Sequence, residues 1–387
     1  MGLNFLLEGL FAASVAVAVY VYAGYPLLVF LIGWLFPKVV NKGDNEPTIS
    51  FIITAFNEER AIRMKLENTL ALDYPSNKIE VIVASDCSSD STDDIVVRFA
   101  HRGVRLLRQQ HRSGKTETQN AAVRQAAGEV IVFSDATSLY ETDAVRELVA
   151  NFADDSVACV SGRLEYFDPS SSDVGSGVRT YWSYESFLKR RESLACSLIG
   201  VSGCIYAIRR ANYVPMYPEA CSDFLIATLV FQQGLRTVYE PNALCREETN
   251  KGSDKEMKMR IRVISQTFTD LWRNRRMMNP FRNGFYAVQL VSHKVLRYSA
   301  PLFMFGALIS ALVLAWNSMF FMMISLAAVA FLAVAGTAWI LERLGIATGP
   351  FAIPLYFLLT NVASVAGFLQ FLRGERYATW EPIRDAG

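Results

Sequence analysis

Glu129-Val-Ile-Val-Phe-Ser-Asp-Ala-Thr137 is the stretch on which the reading of this 387-residue chain turns. Residues 130–133 are all β-branched or aromatic, the composition of a strand buried on both faces. The strand ends on Ser134-Asp135, which sets a carboxylate at the carboxyl end of an expected parallel sheet, where open α/β sheets bind ligands. Asp135, a small residue and the hydroxyl of Thr137 together offer oxygen ligands to a divalent cation held against a diphosphate. A strand-end Asp can equally cap the helix that follows. On this stretch alone the two readings stand level.

Outward from it, strands and helices alternate. Strands are expected at 49–54, 79–85 and 104–107, and helices at 57–72, from Ser89, and at 115–127. This alternation marks an α/β domain, here spanning 46–250. Beyond Val157 the pattern loosens into a helix at 178–196, a strand at 203–208 and a helix at 223–232.

The ends of the chain are of another kind. Half of all residues, 52%, are hydrophobic, too many for one ordinary soluble domain. Segment 3–36 carries Glu8 as its only charge. Roughly 20 apolar residues span a bilayer, so 1–42 is expected to hold one tilted or Pro26-kinked transmembrane helix with its flank. It lacks the basic start and small-residue cleavage site of a signal peptide. Lys38 and Lys42 follow it, which predicts an outer amino terminus and a cytoplasmic domain. Met257, Ile261, Ile264, Phe268 and Leu271 repeat at helical spacing within 254–276, on a helix whose other faces are basic. Such a helix, in an interface region 251–298, is expected to lie on the cytoplasmic membrane surface. The alternative is a helix packed on the domain. Apolar segments at 300–316, 319–341 and 351–372 fill the region 299–372, before a tail at 373–387. Three crossings put that tail outside, whereas Arg373, Arg376 and Arg384 favour the inside. A re-entrant segment at Pro350 and Pro354, or a displaced boundary, would reconcile the two.

Six cysteines at irregular spacings and three histidines predict neither a zinc site nor a disulfide framework, but reduced thiols. A net charge of +1 points to no partner, and no nucleic acid is expected.

Four loops carry chemistry. Ser50-Phe-Ile-Ile-Thr-Ala-Phe-Asn-Glu-Glu59 ends the first strand in an aromatic and polar groups suited to a base. Val83-Ala-Ser-Asp-Cys-Ser-Ser-Asp-Ser-Thr92 ends the second in Asp86 and Asp90, either able to accept an imide N–H. Arg112-Ser-Gly-Lys115 places a glycine and a cation at a helix amino terminus, a site for phosphate. Asp135 completes the set.

Their order and spacing resemble the inverting family-2 glycosyltransferases over roughly 47–248, most closely the membrane-embedded synthases of bacterial exopolysaccharide, cellulose, chitin and hyaluronan. The resemblance implies a GT-A fold, a Rossmann-like mixed sheet, joined to transmembrane helices. It implies a UDP-sugar donor bound by Phe56, Glu58, Asp86, Lys115 and Asp135, with Mg²⁺ or Mn²⁺ at Asp135 and Thr137. Gly200-Val-Ser-Gly-Cys-Ile-Tyr-Ala-Ile-Arg-Arg210 resembles the acceptor-side segment, and Ser222-Asp-Phe224 the acidic motif that supplies the catalytic base, Asp223. Two departures stand out. The D-x-D motif ends in Thr137, and the Q-x-x-R-W motif of processive synthases is missing in that form, leaving Arg260 and Arg262 to grip the diphosphate. The implied protein is a multi-pass inner-membrane transferase that elongates an exopolysaccharide, with export subunits as candidate partners. Transfer of one sugar to a lipid, such as a polyprenyl phosphate or glycolipid, is the alternative, and a silent export scaffold is a third. Retention of Asp86, Lys115, Asp135 and Asp223 argues against the scaffold.

Overall fold

The computed structural model describes residues 2–167, 173–248, 253–346 and 348–379; Arg384 lies outside them. Eight strands form one sheet: β1 Ile49–Ala55, β2 Ile79–Ser85, β3 Val104–Arg108, β4 Val130–Asp135, β5 Leu139–Tyr140, β6 Val157–Phe167, β7 Ile205–Arg209 and β8 Arg236–Glu248. Their order is β3-β2-β1-β4-β7-β6-β8-β5. The first four are parallel; β7 runs antiparallel to β4 and β6, β8 parallel to β6, and β5 antiparallel to β8.

Alternation along the strands gives each face its own core. Phe51, Ile53, Val81, Val83, Val130 and Val132 pack beneath helices α3 Ile62–Leu70, α4 Thr92–Arg98 and α6 Ala144–Ala150. Ile52, Ile82, Ile131 and Phe133 pack against α5 Lys115–Gln125 and α8 Ser222–Gln232. Phe133 stacks on Tyr206 with ring centroids 4.7 Å apart, a pair worth about 0.5–1.5 kcal/mol beyond its buried area. Every residue of β4 is buried except Asp135, where the chain emerges at the sheet's carboxyl edge.

Two expectations are corrected within this domain. The helix expected from 57 begins only at Ile62, because Asn57 takes a left-handed conformation (φ +53°) that no helix continues through. Its carbonyl Oδ1 accepts the Ser89 N–H at 2.8 Å, and Thr92 Oγ1 accepts the Glu58 N–H at 2.7 Å, so 56–61 is a loop tied to the next strand's end. Beyond Val157 the chain forms the long strands β6 and β8. In β8 charges and Pro241 break the alternation, and the β6–β8 register shifts between Ser161 and Arg163.

Four helical passages are long and apolar enough to cross a membrane: Gly2–Leu35, Pro280–Leu314, Met319–Arg343 and Gly349–Leu372. The first joins α1 Gly2–Val19 to α2 Tyr25–Leu35 through a π-turn at Tyr20–Gly24, just ahead of Pro26. It meets the helix α7 Asp173–Ala195 at Gly33, where a Cβ would stand 3.2 Å from the Arg191 carbonyl. After α9 Ser253–Arg273, the passage expected from 300 already starts at 280, as α10 Pro280–Leu290, a π-turn Val291–Leu296 and α11 Arg297–Leu314. Helices α12 Met319–Arg343 and α13 Ala352–Leu372 follow.

The apolar stripe of the amphipathic α9 is covered by protein. Its apolar residues Ile264, Phe268 and Leu271 are buried among Phe224 of α8, Tyr286 of α10 and Ala363 of α13. The apolar stripe was legible, but its partner is protein. Helix α13 runs beside α9: the Tyr356 hydroxyl meets Arg260, Gly367 sits where a Cβ would be 2.9 Å from the Ile261 carbonyl, and Phe368 lies 5.0 Å from Phe268. At the start of α9, Asp254 pairs with Arg343 of α12 at 2.7 Å. Past α13 the chain turns at Gly374 and the Tyr377 carbonyl accepts from Gln266 Nε2 at 2.7 Å. Both ends of α13 therefore stay against the helix that leaves the domain.

Candidate active site

At the carboxyl edge of β1 and β4 a cavity of about 440 Å³ brings together residues distant in sequence. Thr54, Glu58, Lys115, Asp135 and Thr137 line one end, residues 200–203 and Asp223 the middle, and Glu185, Lys189, His293, Lys294 and Tyr298 the other end. Arg260 and Arg262 reach it from α9.

Asp135 accepts a 2.5 Å charged hydrogen bond from Lys115 Nζ. Burial works against the Lys115 ammonium, but Asp135 and then Asp223 outweigh it and hold its pKa above the ordinary value. The loop that carries Asp135 rests on Lys65, whose fully buried ammonium donates to the Ser138 carbonyl at 2.6 Å and lies 4.0 Å from the centre of the Tyr140 ring. Burial pushes the Lys65 pKa down to about 7. Thr137 Oγ1 donates to Glu247 Oε1 at 2.7 Å, so the end of β8 sets a carboxylate beside the position where the motif has a hydroxyl. Sequence reasoning missed Glu247 because it missed its strand. Among the described residues no group of three His, Cys, Asp or Glu side chains could hold a metal. Asp135, Thr137 and Glu247 nonetheless offer oxygen atoms beside one another, with Thr137 bonded to Glu247, which fits a hard cation whose remaining ligands come from a diphosphate.

Asp86 is fully buried and accepts the Ser113 N–H at 2.7 Å, the Gly114 N–H at 3.0 Å and the Thr118 hydroxyl at 3.2 Å. Within the domain it holds the turn that opens α5. The Arg112 guanidinium lies 3.8 Å from the centre of the Phe56 ring, a cation–π contact that covers the face read as a base platform. Gly114 has φ +89°, and a Cβ there would fall 1.8 Å from the Ala378 carbonyl oxygen. The tail thus crosses this turn, and Ala378 and Thr379 line the cavity. Nothing in the sequence pattern predicts that contact.

The two arginines differ. Arg260 is engaged, paired with Glu256 at 2.8 Å and with the Tyr356 hydroxyl. Burial lowers the pKa of Arg262, opposed by Cys221, Asp223 and Asp135, and its buried Nε has no hydrogen-bond partner among the described residues. Trp272 and Gln266 do not rebuild the missing motif: Trp272 is exposed, and Gln266 holds main-chain carbonyls of Glu219 and Tyr377.

Asp223 opens α8, with Oδ1 accepting from the Cys221 thiol at 2.9 Å. Gly203 faces it so closely that a Cβ there would stand 3.0 Å from Oδ2. The far end of the cavity is a buried polar cluster. Arg297 pairs with Glu185 at 2.5 Å, His293 Nδ1 lies 2.7 Å from Glu192, and the Tyr25 hydroxyl donates to Glu192. It ties the first apolar passage to α7 and to the second.

Residues 50–213 match the family model "Glycosyl transferase family 2". Among curated proteins, the poly-beta-1,6-N-acetyl-D-glucosamine synthase of Staphylococcus aureus (strain COL) is 27% identical over 203 residues, 51% of this chain and 49% of that protein. That of Staphylococcus epidermidis is 26% identical over 206 residues. The chain spans about half the length of the curated relatives it matches. Among solved structures, a mannosyltransferase of Pyrobaculum calidifontis in complex with GDP-Man and Mn²⁺ superposes with a TM-score of 0.72, covering 95% of this chain and 99% of that one at 22% identity. That likeness extends the fold correspondence through the apolar helices.

Proposed function

We propose, for a chain whose residues 50–213 form a glycosyl transferase family 2 domain, that it transfers a hexosyl or N-acetylhexosaminyl unit from a UDP-sugar to a growing exopolysaccharide. The observation that carries this reading is one cavity holding the Lys115–Asp135 pair, the guanidinium of Arg262 with its unpartnered Nε, and the carboxylate of Asp223. The likeness to the staphylococcal synthases, named for a poly-N-acetylglucosamine, supports the choice of sugar and product.

In this reading the diphosphate lies between Lys115 and Arg262, with Asp135, Thr137 and Glu247 as the residues that would hold a divalent cation. When bound, the cation neutralises charge on the leaving diphosphate. An acceptor hydroxyl attacks the anomeric carbon from the face opposite UDP. The new C–O bond forms as the bond to the phosphate oxygen breaks, its electron pair leaves with UDP, and the configuration inverts. Asp223 takes the hydroxyl proton. Lys115 and Arg262 meet the developing negative charge. Asp86 acts at one remove, by holding the turn that presents Lys115.

The acceptor enters from the end lined by His293, Lys294 and Tyr298, which belong to an apolar passage. That placement also keeps a lipid acceptor as the second reading, which product analysis separates: long polymer against one sugar on lipid. The domain is read as cytoplasmic, with α13 re-entrant beside α9 and the tail on the domain's side. The test of the whole reading is UDP release from purified protein across nucleotide-sugars, with and without Mg²⁺ or Mn²⁺. Asp223→Asn should lose roughly 10²–10⁴-fold in turnover while calorimetric UDP affinity stays unchanged. Near-normal turnover in the folded variant would withdraw the base assignment.

A further inference from the structure

Asp270, on the buried side of α9, is fully enclosed, and no step above uses it. Its Oδ2 accepts the Cys221 backbone N–H at 3.0 Å, and its Oδ1 accepts from the Tyr217 hydroxyl. Both donors lie in the loop that leads into Asp223. The same loop is held from two more sides: Thr116 Oγ1 donates to the Ala220 carbonyl at 2.8 Å, and Gln266 Nε2 to the Glu219 carbonyl at 3.3 Å. Cys221 then passes the constraint on, since its thiol donates to Asp223 Oδ1 at 2.9 Å. Its N–H would otherwise be one of the unsatisfied donors of a helix amino terminus, for α8 has no side-chain cap of its own. A carboxylate from a different helix fills that role.

We infer that Asp270 is the positioning residue of the catalytic base: through Cys221 it sets where Asp223 stands relative to the acceptor, and so makes α9 part of the chemistry. The inference rests on the reading of Asp223 as the base. A buried carboxylate is a costly way to tie a loop, and burial pushes its pKa up to about 7 against the pull of Tyr217 and Cys221. The surrounding charges do not compensate. Asp223 adds repulsion, and Arg273, which lies 3.9 Å from the centre of the Tyr217 ring, offsets it only in part. A role confined to folding would be met at lower cost by a neutral side chain of the same shape.

The test is Asp270→Asn in the full-length protein, read by turnover, by UDP calorimetry and by thermal unfolding at pH 8. Small misplacement of a catalytic group is costly, so kcat should fall roughly 10- to 100-fold with donor KM and UDP affinity unchanged. The unfolding midpoint should be no lower than the parent's. Tyr217→Phe, which removes one donor and leaves the carboxylate, should lower kcat in the same direction by less. Turnover equal to the parent's, or a loss of turnover matched by loss of UDP affinity or by a lower midpoint, overturns the inference. Asp223→Asn in parallel keeps the two claims apart. If it stays active the base assignment fails, whereas an inactive Asp223→Asn beside a fully active Asp270→Asn removes only the positioning role.

Discussion

Arg260 and Arg262 stand two residues apart on α9 and face different partners. Arg260 joins α9 to α13 through Tyr356, whereas Arg262 puts a half-buried guanidinium without an Nε partner at the cavity. Arg262→Ala should weaken UDP binding in calorimetry and slow transfer, with little change in the unfolding midpoint. Arg260→Ala should do the reverse, lowering the midpoint first. Thr137 gives a second test, because its hydroxyl donates to Glu247. Thr137→Asp restores the commoner acidic motif but sets two carboxylates together. Without divalent cation it should unfold at a lower temperature than the parent, and Mn²⁺ should raise its midpoint more than the parent's. Equal Mn²⁺ shifts would place the cation away from Thr137. Asp270 supplies a pH test. Its folded pKa of about 7 lies above the ordinary value near ~4, so its contribution to stability is full below about pH 4 and is lost as pH rises through 7. The unfolding midpoints of Asp270→Asn and the parent should therefore converge toward low pH. At pH 8 the variant should hold the advantage, on the order of a few kcal/mol.

Among elements, those with a clean local pattern were legible. The apolar run 130–133 and the strands at 49 and 79 sit where expected, because buried parallel strands are continuous apolar runs bounded by turns. Asp135 and Lys115 stand where the pattern puts them for the same reason: each ends or opens an element that the pattern marks. What failed has physical causes. Asn57 leaves the helix through a left-handed backbone stabilised by contacts 32 residues away. β8 carries Pro241 and five acidic or basic residues, so no alternation announces it, and Glu247 was lost with it. For α9 the periodicity was right and left its partner open, since an apolar stripe looks the same whether lipid or a neighbouring helix covers it; here neighbouring helices do. Asp270 gave no signal because an acid on a basic helix reads as a solvated charge.

At the scale of the whole molecule, the three apolar segments after the domain do not count as three crossings in the proposed topology. Arg343 returns α12 to Asp254, and Tyr377 returns the tail to Gln266. Reporters fused after Lys42 and at the carboxyl terminus should therefore be active on the same side of the membrane. Activity on opposite sides would make α13 a full crossing. The fit of Gly367 against α9 carries a last consequence. With a Cβ's width removed there, α13 and α9 touch backbone to side chain, and α9 holds both Arg262 and Asp270. Crossing helices such as α12, whose Phe331 lies 5.9 Å from Phe357 of α13, adjust to a thinner or thicker hydrocarbon layer by tilting. Here such a tilt would be passed through α13 to the diphosphate grip and to the base loop together. In vesicles whose acyl chains differ only in length, turnover and UDP affinity should therefore pass through an optimum together, so that lipid thickness becomes a rate-setting variable. Gly367→Leu, which wedges the two helices apart, should flatten that dependence.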